Sequence, residues 1–325
     1  MRENSVPAYD EQTGRGLVRH IMTRSTTSGE LMVVVVVTRA DIPKASRLIE
    51  LLRAAVPGLC SVCLSVNSRR TNIILGTDIR VLWGKAAMED TLCGLRFSVS
   101  PLSFFQVNPQ QTERLYGLAL EYAGLTGAET VVDAYCGAGT ISLLLAQKAK
   151  KVIGIEIVPE AIQNANENAA RNSIANAEFH VGATEELLPK LVENGLRPDV
   201  IVLDPPRKGC DPAVLQAIIA AAPKRVVYVS CGAPTLARDA KLLAEGGYAA
   251  EKVQCVDMFC WTGAVETVMS LVQQNPDDIV KVGIDADELA VTKAESKATY
   301  GEIQTHVKEQ TGLNVTPLYI AQVKR

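Results

Sequence analysis

From about residue 110 the chain alternates short apolar runs with amphipathic stretches, and this restricts the possible folds more than any other feature. The runs are Thr130 to Ala134, Lys151 to Ile155, Glu178 to Val181, Asp199 to Leu203 and Arg225 to Ser230. Helical spacing fills the gaps near 140–149, 160–172, 184–194 and 212–222. Runs as continuous as Val200-Ile201-Val202-Leu203 suit strands buried on both faces, as in a parallel sheet. Right-handed crossovers then give a doubly wound α/β sheet, with ligands bound outside the carboxyl ends of its strands. A helix near 234–245 precedes two more strands, Glu251 to Val256 and Val265 to Leu271. Too few residues separate them for a crossover, so the last strand is expected to run antiparallel.

Residues 1–107 read as a smaller α+β domain before the α/β domain at 108–275. Strands are expected at Val33 to Thr38, Leu59 to Val66, Thr71 to Leu75 and Ile79 to Leu82, with a helix over Ile42 to Ala55. Residues 276–325 read as a helical extension with polar helices at Asp285 to Ser296 and Thr299 to Gln310. The apolar run Leu31 to Val37 is too short to span a bilayer, and no membrane association or leader is expected. Eight scattered cysteines form no disulfide framework in a chain of 325 residues, which points to a reducing cytoplasm. The lone pair Cys60 and Cys63 lies in a strand pattern and lacks partners at zinc-ligand spacing; no metal site is expected.

Several strand ends at the carboxyl edge carry chemistry. The first strand ends in Asp133-Ala134-Tyr135-Cys136-Gly137-Ala138-Gly139-Thr140, where Gly137 and Gly139 allow a tight strand-to-helix turn. Glu156 ends the second strand, placed for ribose hydroxyls, while Asp133 before the turn suits a cationic amino-acid group. A dinucleotide's pyrophosphate would be repelled by Asp133 and would want Gly or Ala where Ser142 stands. The expected cofactor is therefore S-adenosyl-L-methionine. Asp204-Pro205-Pro206-Arg207 follows the fourth strand; enzymes that methylate base amino groups usually carry an aromatic residue where Arg207 stands. Cys231 follows the fifth strand and precedes a helix, whose N-terminus favours a thiolate. Glu266 opens the antiparallel strand and so reaches the same edge. His20, His180 and His306 lie outside these motifs.

A thiolate, a carboxylate base and a methyl donor fit methylation at carbon-5 of a pyrimidine. That carbon is a poor nucleophile until a thiolate adds at carbon-6. A base then removes the carbon-5 proton. The net charge of -3 is unusual for a protein that grips RNA, although Arg69-Arg70, Lys150-Lys151 and Arg207-Lys208 supply basic clusters.

These residues resemble the RNA uracil-5-methyltransferase family, over roughly 14–272. Ser103-Phe104-Phe105-Gln106-Val107-Asn108 looks like the family's S-F-x-Q-V-N signature, and Asp133 to Thr140 like its glycine-rich turn. Val229-Ser230-Cys231 with Thr235 to Asp239 is similar to the nucleophile segment, and Val265-Glu266 to the base segment. The resemblance implies cofactor contacts from Gln106, Tyr135, Glu156 and Asp204, a target base near Phe104 and Arg207, Cys231 as nucleophile and Glu266 as base. Spacing alone would place Phe104 and Phe105 in the core. The chain departs from the pattern at Gly232, where Asn is common, and at Trp261 and Ala264, which stand in the segments usually written Pro-His-Thr and His-Val-Glu. No oligonucleotide-binding barrel and no four-cysteine iron–sulfur segment are legible. The tail resembles extensions of ribosomal-RNA-type members, so 23S RNA is the expected substrate and tRNA the alternative. Cytosine-5 enzymes of RNA carry a cysteine in the motif occupied here by Pro205-Pro206-Arg207. An RNA-binding protein that kept the fold and lost catalysis stays open as a rival.

Overall fold

The computed structural model describes residues 6–274, so the expected helices at 285–296 and 299–310 lie outside the described residues. The N-terminal part holds strands β1 (Val18–Ser25) and β2 (Leu31–Val37), helix α1 (Ala45–Ala55), and strands β3 (Leu59–Val66) and β4 (Asp78–Gly84). These strands pair in the order β1-β2-β3-β4. A hairpin of β5 (Met88–Leu92) and β6 (Leu95–Val99) follows. Its turn residues Cys93 and Gly94 both have positive φ, of 50° and 78°, as a tight two-residue hairpin turn requires.

The rest is helix α2 (Pro109–Ala123), strand β7 (Thr130–Asp133), α3 (Thr140–Ala146), β8 (Lys151–Glu156), α4 (Pro159–Arg171), β9 (Ala177–Val181), α5 (Thr184–Glu193), β10 (Val200–Leu203), α6 (Pro212–Ala221), β11 (Arg225–Ser230), α7 (Ala233–Glu245), β12 (Tyr248–Val256) and β13 (Glu266–Gln273). The seven strands form one sheet in the order β12-β13-β11-β10-β7-β8-β9. β13 runs antiparallel to both its neighbours; β7 to β11 are mutually parallel. The doubly wound α/β sheet and its reversed last strand are thus as the sequence led one to expect.

Alternation along each strand sorts the core into two layers. Val131, Val152, Val202, Val227 and Val229 pack with Leu115 of α2 and Leu143 of α3. Val132, Ile153, Ile201, Val226 and Tyr228 pack on the other face with Leu188, Val214 and Leu243 of α5, α6 and α7. Both faces are covered, so residues with chemistry to perform can reach solvent only at the strand ends.

Three expectations need correction. Thr71 to Leu75 forms no strand: Asn67 Nδ2 donates to the carbonyls of Ile73 and Ile74 at 2.7 and 3.0 Å, and the Gly76 amide donates to Ser65 Oγ. Side chains of β3 and its exit thereby take the bonds a neighbouring strand would have taken. Strand β1 and the β5–β6 hairpin are additional, the first because Val18 to Ser25 mixes polar and apolar residues and leaves Ile21 56% exposed. Helix α2 is additional too, although its signals are plain: Asn108 accepts from the Gln111 amide, Pro109 occupies the first turn, and Gly124 ends the helix at φ 59°.

Among the described residues no helix is long and apolar enough to cross a membrane, and no group of three or more His, Cys, Asp or Glu side chains could hold a metal ion. Cys63 is buried in the core beside Met32 and Val34.

Candidate active site

The turns after β7, β8, β9, β10 and β11 and the start of β13 enclose a cavity of about 550 Å3. Its walls include Phe104, Gln106, Tyr135, Gly137, Glu156 and Asp204, together with Arg207, Cys231 and Glu266. Nine of the expected site residues therefore share one space. The other two, Asp133 and Gly139, sit behind it. Asp133 is fully buried, and its Oδ2 accepts from Ser142 Oγ at 2.6 Å. Gly139 precedes α3 at φ 81°, where an added Cβ would crowd Ala165 and Phe179. Gly137 (φ 53°) opens instead onto free space.

The sequence builds each wall locally. Glu156, at the end of β8, is held by the amides of Gly137 and Val158, which donate to its two carboxylate oxygens at 3.2 and 2.9 Å. Each oxygen has lone-pair capacity left for hydroxyl donors. The loop with Phe104 and Gln106 is pinned by Arg24 of β1, whose Nη2 donates to the carbonyls of Pro101 and Ser103 at 3.2 and 2.8 Å. Phe105 turns inward against Phe97 with ring centroids 6.1 Å apart, whereas Phe104 is 77% exposed. Half-buried Phe105 packs against the core and Phe104 does not, contrary to the spacing argument.

Cys231 and Glu266 meet through strand register. Ser230 of β11 lies opposite Thr267 of β13, so the next antiparallel pair is Cys231 and Glu266. Asp204 continues β10 one strand away. Three acidic groups thus crowd a poorly solvated edge. Burial, reinforced by Glu266 and Asp133, pushes the Asp204 carboxyl up to about 8. Burial also raises Glu266 above the usual carboxylate range, with Arg207 acting in the opposite direction. The Cys231 thiol is raised by burial, then by Glu266 and Asp204, despite lowering from its backbone hydrogen bond and Arg207. Burial first, then the neighbouring carboxylates, thus push the thiol in the direction opposite to the one expected from the helix that begins at Ala233.

A buried network holds α7, the helix that follows Cys231, against the Asp204 turn. Asp239 of α7 accepts from Tyr228 Oη at 2.6 Å and from the Cys210 amide at 2.8 Å, and pairs with Arg238. Arg238 Nη2 donates to the Lys208 carbonyl at 3.0 Å. Asp239→Ala strands two buried donors, so unfolding in urea should show a loss of about 2–4 kcal/mol.

Sequence reasoning missed Ile157, Ala183, Thr184 and Glu185, which line the cavity. Their place after the second and third parallel strands was the available signal. It also missed Tyr116 of α2, buried with Gln106 and Thr140 at its hydroxyl.

Comparison with known proteins agrees with this geometry. The family model described as tRNA (Uracil-5-)-methyltransferase matches residues 18–274. An uncharacterized RNA methyltransferase of Clostridium acetobutylicum is 49% identical over 270 residues, which cover 83% of this chain and 59% of that protein. An uncharacterized RNA methyltransferase of Listeria innocua is 52% identical over 264 residues, 81% of this chain and 58% of its own. The chain thus spans about three fifths of the length of these curated relatives. Among solved structures, the Pyrococcus abyssi tRNA (uracil-54, C5)-methyltransferase in complex with S-adenosyl-L-homocysteine superposes with a TM-score of 0.71 at 28% identity, covering 83% of this chain and 64% of that one. The sheet order, the turns at its carboxyl edge and the match over 18–274 agree: the chain belongs to the tRNA (uracil-5-)-methyltransferase family.

Proposed function

We propose that this chain transfers a methyl group from S-adenosyl-L-methionine to carbon-5 of a uridine in RNA, in the cytoplasm. The observation that carries this reading is that Cys231 and Glu266, which adjoin the last register pair of β11 and β13, Ser230 and Thr267, line the same cavity as Glu156 and Asp204.

The residues fit the cofactor. A 550 Å3 cavity is within the range of small-ligand sites, roughly 300–1,000 Å3. Open space over Gly137 admits a close ligand. The buried Asp133 Oδ1 has no hydrogen-bond partner, and behind the cavity this acid supplies a field that favours a cation. Glu156 would take the ribose hydroxyls; Gln106, Tyr135 and Asp204 would complete the seat. When bound, S-adenosylmethionine supplies a methyl group on a positively charged sulfur, an electrophile.

The side chains supply the rest. Cys231, as thiolate, bonds to carbon-6 of the uracil and breaks the 5,6-double bond. The displaced electron pair makes carbon-5 the nucleophile that takes the methyl. Glu266 removes the carbon-5 proton, the double bond re-forms, and Cys231 leaves as thiolate. Phe104 and Arg207 border the space left for the base. A cationic ligand would also offset the acids that hold the Cys231 thiol protonated.

Incubation with methyl-labelled donor and unmodified RNA tests the reading: 5-methyluridine should form. Binding of RNA with no label incorporated would favour the non-catalytic alternative. We propose 23S rRNA as the substrate, with tRNA second, the latter supported by the likeness to the Pyrococcus enzyme. Mapping 5-methyluridine in both RNAs from a strain lacking the gene distinguishes them.

Asp204 gives a further expected result. Its carboxyl sits at about 8, so a cationic donor must ionise it at lower pH. Affinity should rise between pH 6.5 and 8.5, by up to about tenfold per pH unit below 8. In calorimetry Asp204→Asn should bind weakly with a flat pH profile, and Glu156→Ala should lose about 1–3 kcal/mol. Undiminished affinity in both variants would refute the cofactor placement.

A further inference from the structure

Cys231 borders a second opening. Beyond the cofactor cavity lies a shallower pocket of about 450 Å3 lined by Arg207, Cys231, Gly232, Thr235, Gly263 and Ala264, with Pro234 at its edge. Arg207 and Cys231 belong to both walls, so whatever occupies the shallow pocket abuts the reacting thiol. Gly232 and Ala264 keep it open: a Cβ added at Gly232 would come within 3.0 Å of Thr235 Oγ1.

Gly263 and Ala264 belong to the loop that joins β12 to β13, and this loop carries Trp261 two residues before Gly263. Trp261 is fully exposed. It also stands at φ 69°, a left-handed conformation that bulky residues rarely adopt. Neither feature serves folding, since the largest apolar side chain gains nothing from exposure and the backbone is strained. The loop is nevertheless built. Thr262 Oγ1 donates to the Phe259 carbonyl at 2.7 Å and accepts from the Ala264 amide at 3.2 Å. Below it Met258 is buried, and its carbonyl accepts from Asn108 Nδ2 at 3.1 Å. A flat aromatic face is therefore displayed from an anchored loop that ends at Glu266.

We propose that Trp261 is a stacking platform for the base next to the target uridine, and that the shallow pocket receives that neighbouring nucleotide. This rests on the RNA-uridine reading above. A single-stranded RNA with its target base beside Cys231 must place the adjoining nucleotide within a few ångströms, and this pocket adjoins the thiol. Unpaired bases are held by stacking on aromatic side chains, and stacking tolerates any base. Trp261 would thus grip the strand while the cavity reads the uracil.

The chain has two tryptophans, Trp83 and Trp261, so Trp83→Phe leaves Trp261 as the single indole reporter. The probe is the heptanucleotide AAAUAAA, compared with the same RNA lacking the bases on both sides of the uridine. Binding is followed by anisotropy of an end label and stacking by tryptophan emission. The intact RNA should quench Trp261, and the abasic RNA should bind about 5- to 150-fold more weakly with little quenching. Trp261→Ala should raise KM for RNA to a similar extent with kcat unchanged, and Trp261→Tyr should restore most of it. Binding of both RNAs with equal affinity and no quenching would overturn the stacking role alone. Failure of both RNAs to bind would overturn the RNA reading together with it. A fall in kcat at unchanged KM would assign Trp261 to positioning Glu266 instead.

Discussion

Cys231→Ala should abolish methyl transfer, by on the order of 10⁴–10⁶-fold, as loss of a covalent nucleophile does elsewhere. Cofactor affinity should stay near that of the unsubstituted chain, because Glu156 and Gln106 lie on other turns of the cavity. The unsubstituted protein offers a positive counterpart. With 5-fluorouridine RNA it should form an adduct that survives denaturation and contains the methyl group, since fluorine at carbon-5 cannot be removed as a proton is. The rate of adduct formation should climb with pH across the neutral range. Burial and the two nearby acids keep the thiol above its ordinary value, so the reactive thiolate is a small fraction that grows about tenfold per pH unit. Turnover retained in the alanine variant would refute the assignment, and the exposed Cys260 would be examined next.

Glu266→Gln should separate the two halves of the reaction. If Glu266 acts only in elimination, the variant still adds Cys231 and takes the methyl, then stops. The covalent protein–RNA complex should accumulate with ordinary uridine, without any fluorinated analogue. Turnover should fall by about 10²–10⁴-fold, the usual contribution of a positioned base, while adduct formation changes little. Glutamine also removes one acid from beside Cys231, which would if anything hasten thiolate formation. Full turnover with no accumulated complex would mean that another group takes the proton. Loss of both steps in a folded variant would assign Glu266 to holding the uracil.

The departures from the family pattern acquire a location in the structure. Gly232 and Ala264 line the shallow pocket beside Cys231, and Trp261 stands on the same loop as Ala264. Cys231 and Glu266 themselves adjoin the last register pair, Ser230 and Thr267. The substitutions therefore alter the surroundings of Cys231 and leave Cys231 and Glu266 on the wall of one cavity.

Much of this site was legible before any coordinates. Val200 to Leu203 could be read as a doubly buried strand because only a covered parallel sheet tolerates so continuous an apolar run. That reading fixed where the strands end, and so placed Asp204 and Cys231 at one edge. The short link between β12 and β13 excluded a crossover, which reversed the last strand and brought Glu266 to the same edge. Local sequence governs such features, because apolar period and connection length are properties of neighbouring residues.

Tertiary structure alone decided the rest. Whether Thr71 to Leu75 joined a sheet depended on Asn67 and Ser65 reaching its backbone from β3 and its exit. Phe104 and Phe105 look alike in sequence, and only the packing of Phe105 against Phe97 of the β5–β6 hairpin sets them apart. A helix start after Cys231 is visible in sequence, but the burial and the acids of two other strands that raise its thiol are not. Electrostatic energy depends on distances across the fold and on the water excluded there, and neither is encoded in the residues next to Cys231.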